Sequence, residues 1–361
     1  MHLSVLVLPG DGIGVEVTRE AVRVLEHVAS KWNHTLSLSE GLLGGIAIHK
    51  TGTPLPEETL RLAAQTDATL MGAVGLPEFD NAPPDKRPEK GLLGIRQALG
   101  VYANLRPVRA WRSQLDSSPL KNHLVEGADM IIVRELTGGI YYGTPRGIYE
   151  NGAETRAVNT MTYTRSEIER VSRMAFHLAR GRRKKVTSVD KSNVLENSQL
   201  WRRVVIEVAR EFPDVALDHL LVDNCAMQLI LNPRRFDVIL TENMFGDILS
   251  DEGAVLAGSI GMLPSASIGD RRLSGAWVGL YEPVHGSAPD IAGQDKANPL
   301  GAIGSVGAML EYSFGLREES CAVDAAIQAV LTNGPVTADL RPSGAPATTA
   351  QVGAAVCAAI G

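Results

Sequence analysis

Short apolar runs and helical apolar stripes alternate along this chain. LSVLVL (residues 3–8) is closed by PGDGIG, after which Val17, Ala21, Val24, Leu25 and Val28 recur at helical spacing. DATLMGAV (67–74), ADMIIVRE (128–135), KKVTSVD (184–190) and VALDHLLVD (215–223) read as further strands, most of them followed by a helix. Leu200, Val204, Val205 and Val208 mark one such helix, and FDVIL (236–240) runs into the helical pattern of TENMFGDILSDE. The alternation predicts an α/β architecture, with helices packed over a largely parallel sheet. No internal repeat is visible. Residues 143–165, GTPRGIYENGAETRAVNTMTYTR, break the rhythm, being turn-rich, β-branched and aromatic. They are expected to form a hairpin arm that pairs with a partner subunit; the alternative is a surface loop of uncommon length.

At 361 residues the chain suits about two domains. With 44% hydrophobic and 21% charged residues it can bury a full core, which excludes a disordered protein. A net charge of -6 argues against general nucleic-acid or membrane-surface binding. The one basic run, RGRRKK (180–185), reads as a solvated helix end whose cations offset the dipole. Cys225, Cys321 and Cys357 are scattered, which excludes a cysteine zinc site or disulfide framework and suits a reducing compartment. The N-terminus lacks the pattern of a signal peptide, and no apolar run approaches the ~18 residues of a membrane span. The expectation is a cytoplasmic protein with no membrane partner.

The turn PGDGIG has glycines at 10, 12 and 14, which is not the G-x-G-x-x-G of a dinucleotide fingerprint. Residues 31–39, KWNHTLSLS, offer no strand-ending acid to hold a ribose, so a plain tight turn is an equal reading. Four other groups of residues point to chemistry. Asp247 and Asp251 share one helical face, where like charges repel, and Asp223 closes the strand-like VALDHLLVD. Mg²⁺ or Mn²⁺ would turn that repulsion into shared coordination; helix-dipole stabilisation is the alternative and explains Asp247 better than Asp251. Arg96, Arg106 and Arg134 follow structured segments, and Arg134 ends an apolar strand. Guanidinium forks bind carboxylates at ~1.5–3 kcal/mol per charge-assisted bond, so three suit a di- or tricarboxylate, whereas one alone suits a surface ion pair. Lys191 and Tyr141 are both able to move protons, and spacing alone singles out neither. Finally LYEPVHGSAPDIAGQDKANP (280–299) is a Gly/Pro-rich stretch with His285 and Asp290, either a ligand loop or a long irregular connection.

Taken together, LPGDGIGVEV, RPEKGLLGIRQ, YANLRPV, VRELTGGIYYG, DKSNVL, VDNCAMQL, TENMFGDILSDE and YEPVHGSAPDIAG with KANP resemble the β-decarboxylating isocitrate and isopropylmalate dehydrogenase family over nearly the whole chain. The resemblance implies a two-domain α/β fold of that family's own kind, not a classical Rossmann fold. The larger domain would comprise 1–101 and 258–361, and the smaller 102–257, carrying the arm and the metal acids. It also implies a homodimer with shared active sites. Arg96, Arg106 and Arg134 would clamp the malate carboxylates. Asp247 and Asp251 would hold Mg²⁺ or Mn²⁺ with the partner's Asp223, which would also touch substrate. The partner's Lys191 would deprotonate the substrate hydroxyl, and Tyr141 would return a proton to carbon. NAD would lie against Ile13, Leu76, Glu89, Asn193, His285, Gly286, Ser287, Ala288, Pro289, Asp290 and Asn298, with Asp290 favouring a free ribose 2′-hydroxyl.

Substrate choice is expected to rest on Leu92 and the partner's Val194. Isocitrate-specific members place a serine near Leu92, and an apolar surface there suits isopropyl over an unpaired carboxylate. The implied reaction is NAD-dependent oxidative decarboxylation of 3-isopropylmalate, in leucine biosynthesis. Leu76 stands where a second glycine is common, Phe79 where tryptophan is, and Ser192 and Cys225 where alanine is. These departures leave open the same reaction on another 3-substituted malate, D-malate or tartrate. A metal-dependent hydrolase and a non-catalytic scaffold are the rival classes, opposed by the arginines with the Asp290 loop and by the complete catalytic set respectively.

Overall fold

The computed structural model describes residues 1–271 and 276–361. The chain divides into two compact units. The first comprises Met1–Val101, Ala110–Pro119 and Ala257–Gly361, and the second Tyr102–Arg109 and Leu120–Leu256.

In the first unit the strands lie in the order Thr35–Glu40, His2–Gly10, Ala68–Ala73, Trp277–Pro283 and Pro264–Arg271. Neighbours are parallel except the last two, which are antiparallel. The helix Gly14–Lys31 covers this sheet because Val17, Ala21, Val24, Leu25 and Val28 form one stripe, all with no exposed surface. Full burial of each such side chain stabilises by about 1.5–3 kcal/mol. Gly10 pairs with Ala73, and Tyr281 with Leu70 on the other side of the same strand. Parallel pairing therefore brings three strand exits to one edge: the PGDGIG turn, Gly75–Leu76, and the loop that follows Pro283. Ligand loops of α/β sheets gather at such an edge.

The second unit orders its strands Ala103–Arg109, Asp129–Glu135, Val238–Thr241, Lys185–Asp190 and Ala216–Leu221. Only the first pair is antiparallel. Thr241 is in register with Arg134 on one side and Val189 on the other, so Arg134, Lys191 and the start of the helix Asn243–Ala257 share one edge. The helix Arg165–Arg180 starts at a capping box between Thr164 and Glu167. It buries Ile168, Val171, Ala175 and Phe176.

Several details differ from the sequence reading. A strand forms at Thr35–Glu40 and ends on the exposed acid Glu40, one residue past the stretch that offered none. Its only apolar residues are Leu36 and Leu38, too few to signal it. Asp223 does not close a strand: the strand stops at Leu221 and Asp223 sits in the first turn of Val222–Leu231. The stretch read as one Gly/Pro-rich segment from residue 280 is strand as far as Pro283. Within 143–165 the strands Gly147–Asn151 and Glu154–Val158 form an exposed two-stranded hairpin, turning at Gly152 with φ +63°. None of the described helices is long and apolar enough to cross a membrane.

Candidate active site

In the second unit five of the expected residues converge. Arg134 stands one residue before the end of its strand with its side chain 4% exposed, and its Nη1 lies 2.5 Å from Asp247 Oδ1. Arg106 Nη1 is 3.4 Å from the same carboxylate oxygen and 3.7 Å from Asp251 Oδ1. Asp247 and Asp251 are a helical turn apart and project to the same side. Tyr141 donates its hydroxyl hydrogen to Asp247 Oδ2 at 3.0 Å. The cluster thus sets two guanidiniums, two carboxylates and a phenol around one patch.

A layer of residues that the sequence did not single out fixes these groups. Arg106 Nε donates to Asn104 Oδ1 and its Nη1 to Ser250 Oγ, at 2.7 and 2.5 Å. Arg134 donates twice to Asn243 Oδ1, while Asn243 Nδ2 donates to the Gly138 carbonyl. Glu242 accepts from the backbone N–H of Met244 and Phe245, opening the helix that carries both aspartates. Tyr163 donates to Glu242 and accepts from the Asn243 N–H. Burial holds the Glu242 carboxyl above its usual range. The bonds from Arg106 to Ser250, Arg134 to Asn243, Asn243 to Gly138 and Tyr163 to Glu242 and Asn243 join residues distant in sequence, and no periodic pattern reports such a bond.

Burial raises the pKa values of groups in this cluster too. Desolvation first, then the Asp247 charge, pushes the Tyr141 phenol above its ordinary value. Burial likewise raises Asp251, with Asp247 adding to the effect and Arg106 opposing it. A raised phenol keeps its proton as the pH climbs. An ultraviolet difference titration of the protein against its Tyr141→Phe variant should therefore show this residue's phenolate appearing only at a higher pH than that of free tyrosine. A phenolate signal at neutral pH would contradict the placement.

Lys191 and Asp223 pair with each other, Nζ to Oδ1 at 2.5 Å. That hydrogen bond holds the Asp223 carboxyl below the usual carboxylate range. Beside Lys191, Asp190 is clamped by two bonds from Arg202 and accepts from the Ser192 N–H. Asn193 follows in the turn, and Val194 is 64% exposed, bare for a branched apolar side chain. Among the described residues of one chain, no three metal-ligating side chains come together.

In the first unit Arg96 is buried in the helix Pro88–Leu99, with Nη2 2.5 Å from Glu282 Oε1. Its buried Nε has no hydrogen-bond partner. Leu92, on the same helix, is partly buried against the core cluster that includes Leu43 and Ile95. Glu89 at the helix start is exposed, and its Oε1 would lie 3.5 Å from a Cβ at Gly75. The Ile13 N–H donates to the Ser287 carbonyl at 2.8 Å. His285 is buried, which pushes its pKa down, and its Nε2 lacks a partner. Gly286 is open, with nothing within 4 Å of a Cβ built there, Ala288 takes φ +37°, and Pro289 and Asp290 are exposed. Asn298 Nδ2 donates to Asp339 Oδ2 at 3.0 Å, an acid that the sequence reading missed. Cys225 is fully buried, which pushes its thiol up to about 12 and leaves it a packing residue.

A profile of the family described as isocitrate/isopropylmalate dehydrogenase matches residues 4–356. The chain is 61% identical to a 3-isopropylmalate dehydrogenase of Geobacillus kaustophilus, over 95% of this chain and 91% of that protein. It is 55% identical to one of Aquifex aeolicus, over 94% and 92% respectively. Among solved structures, isocitrate dehydrogenase from Methylococcus capsulatus superposes with a TM-score of 0.87 at 34% identity, covering 100% of this chain and 99% of that one. A β-decarboxylating dehydrogenase from Thermococcus kodakarensis, in its apo form, superposes at 0.79 with 36% identity, covering 99% and 96%.

Proposed function

Because the chain belongs to the isocitrate/isopropylmalate dehydrogenase family, we propose that it converts 3-isopropylmalate and NAD⁺ to 2-oxo-4-methylpentanoate, CO₂ and NADH, a step of leucine biosynthesis in the cytoplasm. The observation that carries this reading is the cluster in which Arg106 and Arg134 face Asp247, Asp251 and Tyr141. Two nearly buried guanidiniums beside a phenol suit a hydroxy-diacid better than a neutral substrate. The donor set fits a hard divalent cation, since both acids offer carboxylate oxygens on one helical face. The unpartnered Arg96 Nε and His285 Nε2 fit polar ligands in the first unit, a substrate carboxylate and the adenosine half of NAD respectively.

When bound, Mg²⁺ or Mn²⁺ supplies an electrophile for the substrate oxygens and NAD⁺ a hydride acceptor. The chain's own residues do the rest. Arg106 and Arg134 exchange their present carboxylate partners for those of the substrate, which releases Asp247 and Asp251 for the cation. The partner subunit's Lys191 takes the hydroxyl proton at Nζ, and the partner subunit's Asp223 completes the acid set. Tyr141 gives its phenolic proton to the carbon that loses the carboxylate. Leu92 offers an apolar contact for the isopropyl group, where a carboxylate would be desolvated without a partner. The homodimer this requires is supported by the finding that Asp223 does not group with Asp247 and Asp251 among the described residues of one chain, and by the exposed hairpin.

Initial rates of NADH formation on 3-isopropylmalate, D-malate, tartrate and isocitrate, with Mg²⁺, Mn²⁺ or a chelator, test the proposal. The expected result is fastest turnover of 3-isopropylmalate, abolished by chelation. Turnover of isopropylmalate far below that of D-malate, or activity indifferent to chelation, overturns it.

A further inference from the structure

Asp11, at the centre of the PGDGIG turn, is 3% exposed and takes no part in the reaction as derived above. Its Oδ2 accepts the backbone N–H of Gly45 at 2.7 Å and of Gly75 at 2.9 Å, and its Oδ1 that of Ile46 at 2.8 Å. One carboxylate thus joins three segments: its own turn, the start of the helix Gly45–Thr51, and the stretch leading into Leu76. The junction is tight. A Cβ on Gly44 would lie 2.5 Å from Asp11 Oδ2, and one on Gly45 would lie 2.5 Å from Leu76 Cδ1 and 2.9 Å from its Cγ. On its other side the turn rests on the HGSAPD loop. The Ile13 N–H meets the Ser287 carbonyl there, and Gly12, at φ +57°, has that oxygen 2.1 Å from where a Cβ would stand. Side chains are forbidden at this contact, so the two loops keep a fixed spacing.

We propose that Asp11 is a positioning residue for NAD: it sets the Ile13 and Gly75–Leu76 backbone against the His285–Asp290 loop, so that both ends of the dinucleotide are met by one preformed surface. The inference rests on the NAD reading above and adds a residue that need not touch the cofactor. In Asp11→Asn one acceptor oxygen becomes an NH₂, so a buried backbone N–H faces another donor. Losing one charge-assisted bond corresponds to about a tenfold or larger rise in KM for NAD. KM for 3-isopropylmalate, and kcat at saturating NAD, should stay near wild type, because the arginine and aspartate cluster belongs to the other unit. Gly45→Ala tests the same junction without burying an unpaired polar group, since its Cβ displaces Leu76.

The experiment measures KM for NAD, KM for 3-isopropylmalate and kcat for both variants, with calorimetric NADH binding as a readout independent of turnover. A rise confined to NAD and NADH in either folded variant supports the inference. Wild-type NAD and NADH affinity in the folded variants, or a parallel rise for both substrates, overturns it; if Asp11→Asn fails to fold, Gly45→Ala decides. A wild-type protein that binds no NADH would sink the NAD reading itself, and this inference with it.

Discussion

Replacing Lys191 by alanine should lower kcat for 3-isopropylmalate by roughly 10²–10⁴-fold, the usual contribution of a positioned general base. KM for the substrate should change little, because in the proposed mechanism the carboxylates go to the arginines and not to this amine. Thermal stability should stay close to wild type. Lys191 is partly exposed, and the bond from its ammonium to the exposed Asp223 is screened by solvent. Asp223 then loses the hydrogen bond that holds its pKa down, so its carboxyl titrates at a higher pH in the variant. Steady-state kinetics with a melting curve check both parts. A variant that keeps more than a tenth of wild-type kcat removes Lys191 from the chemistry.

Asp247→Asn is expected to act in two ways. An amide is a poor ligand for a hard cation, and losing about 4 kcal/mol of metal-assisted stabilisation corresponds to roughly 10³-fold in kcat. Raising Mg²⁺ should not restore the rate fully. The same carboxylate also faces Arg134 at 2.5 Å and Arg106 at 3.4 Å, both nearly buried. Asparagine keeps the shape but not the charge, so the variant should fold with a slightly lower melting temperature. The loss is small because Asp247 is 38% exposed and screened, and Asp251 remains nearby. A side effect follows for Tyr141. Without the Asp247 charge its phenol should titrate nearer its ordinary value, though burial still holds it up. Wild-type kcat with unchanged Mg²⁺ dependence would contradict the assignment.

The apolar periodicity made most of the strands and the first helix legible, because burying one face of an element leaves a period in the sequence. Arg134 stood out for a related reason: a charge ending an otherwise apolar strand demands a partner. The strand at Thr35–Glu40 left too faint a trace, with two apolar residues. Asp11 was visible as part of a turn, but its bonds reach 34 and 64 residues along the chain. The same holds for Tyr163, whose hydroxyl meets Glu242 and Asn243 across 79 and 80 residues. Bonds between a side chain and a distant backbone carry no period. The roles given to Lys191, Tyr141 and Asp223 came from resemblance to the family, since spacing alone did not separate them from other polar residues.

Subunit complementation tests the central claim most directly: Asp247 of one protomer works with the partner subunit's Lys191. Inactive Lys191→Ala and Asp247→Asn dimers are mixed in equal amounts, subunit exchange is verified, and turnover is measured. In a hybrid, one site combines the intact Asp247 of one chain with the intact Lys191 of the other, and the second site carries both substitutions. Half of the dimers are hybrids after full exchange, so activity should recover to about one quarter of wild type. A fully exchanged mixture as inactive as its parents would show that each site draws both residues from a single chain.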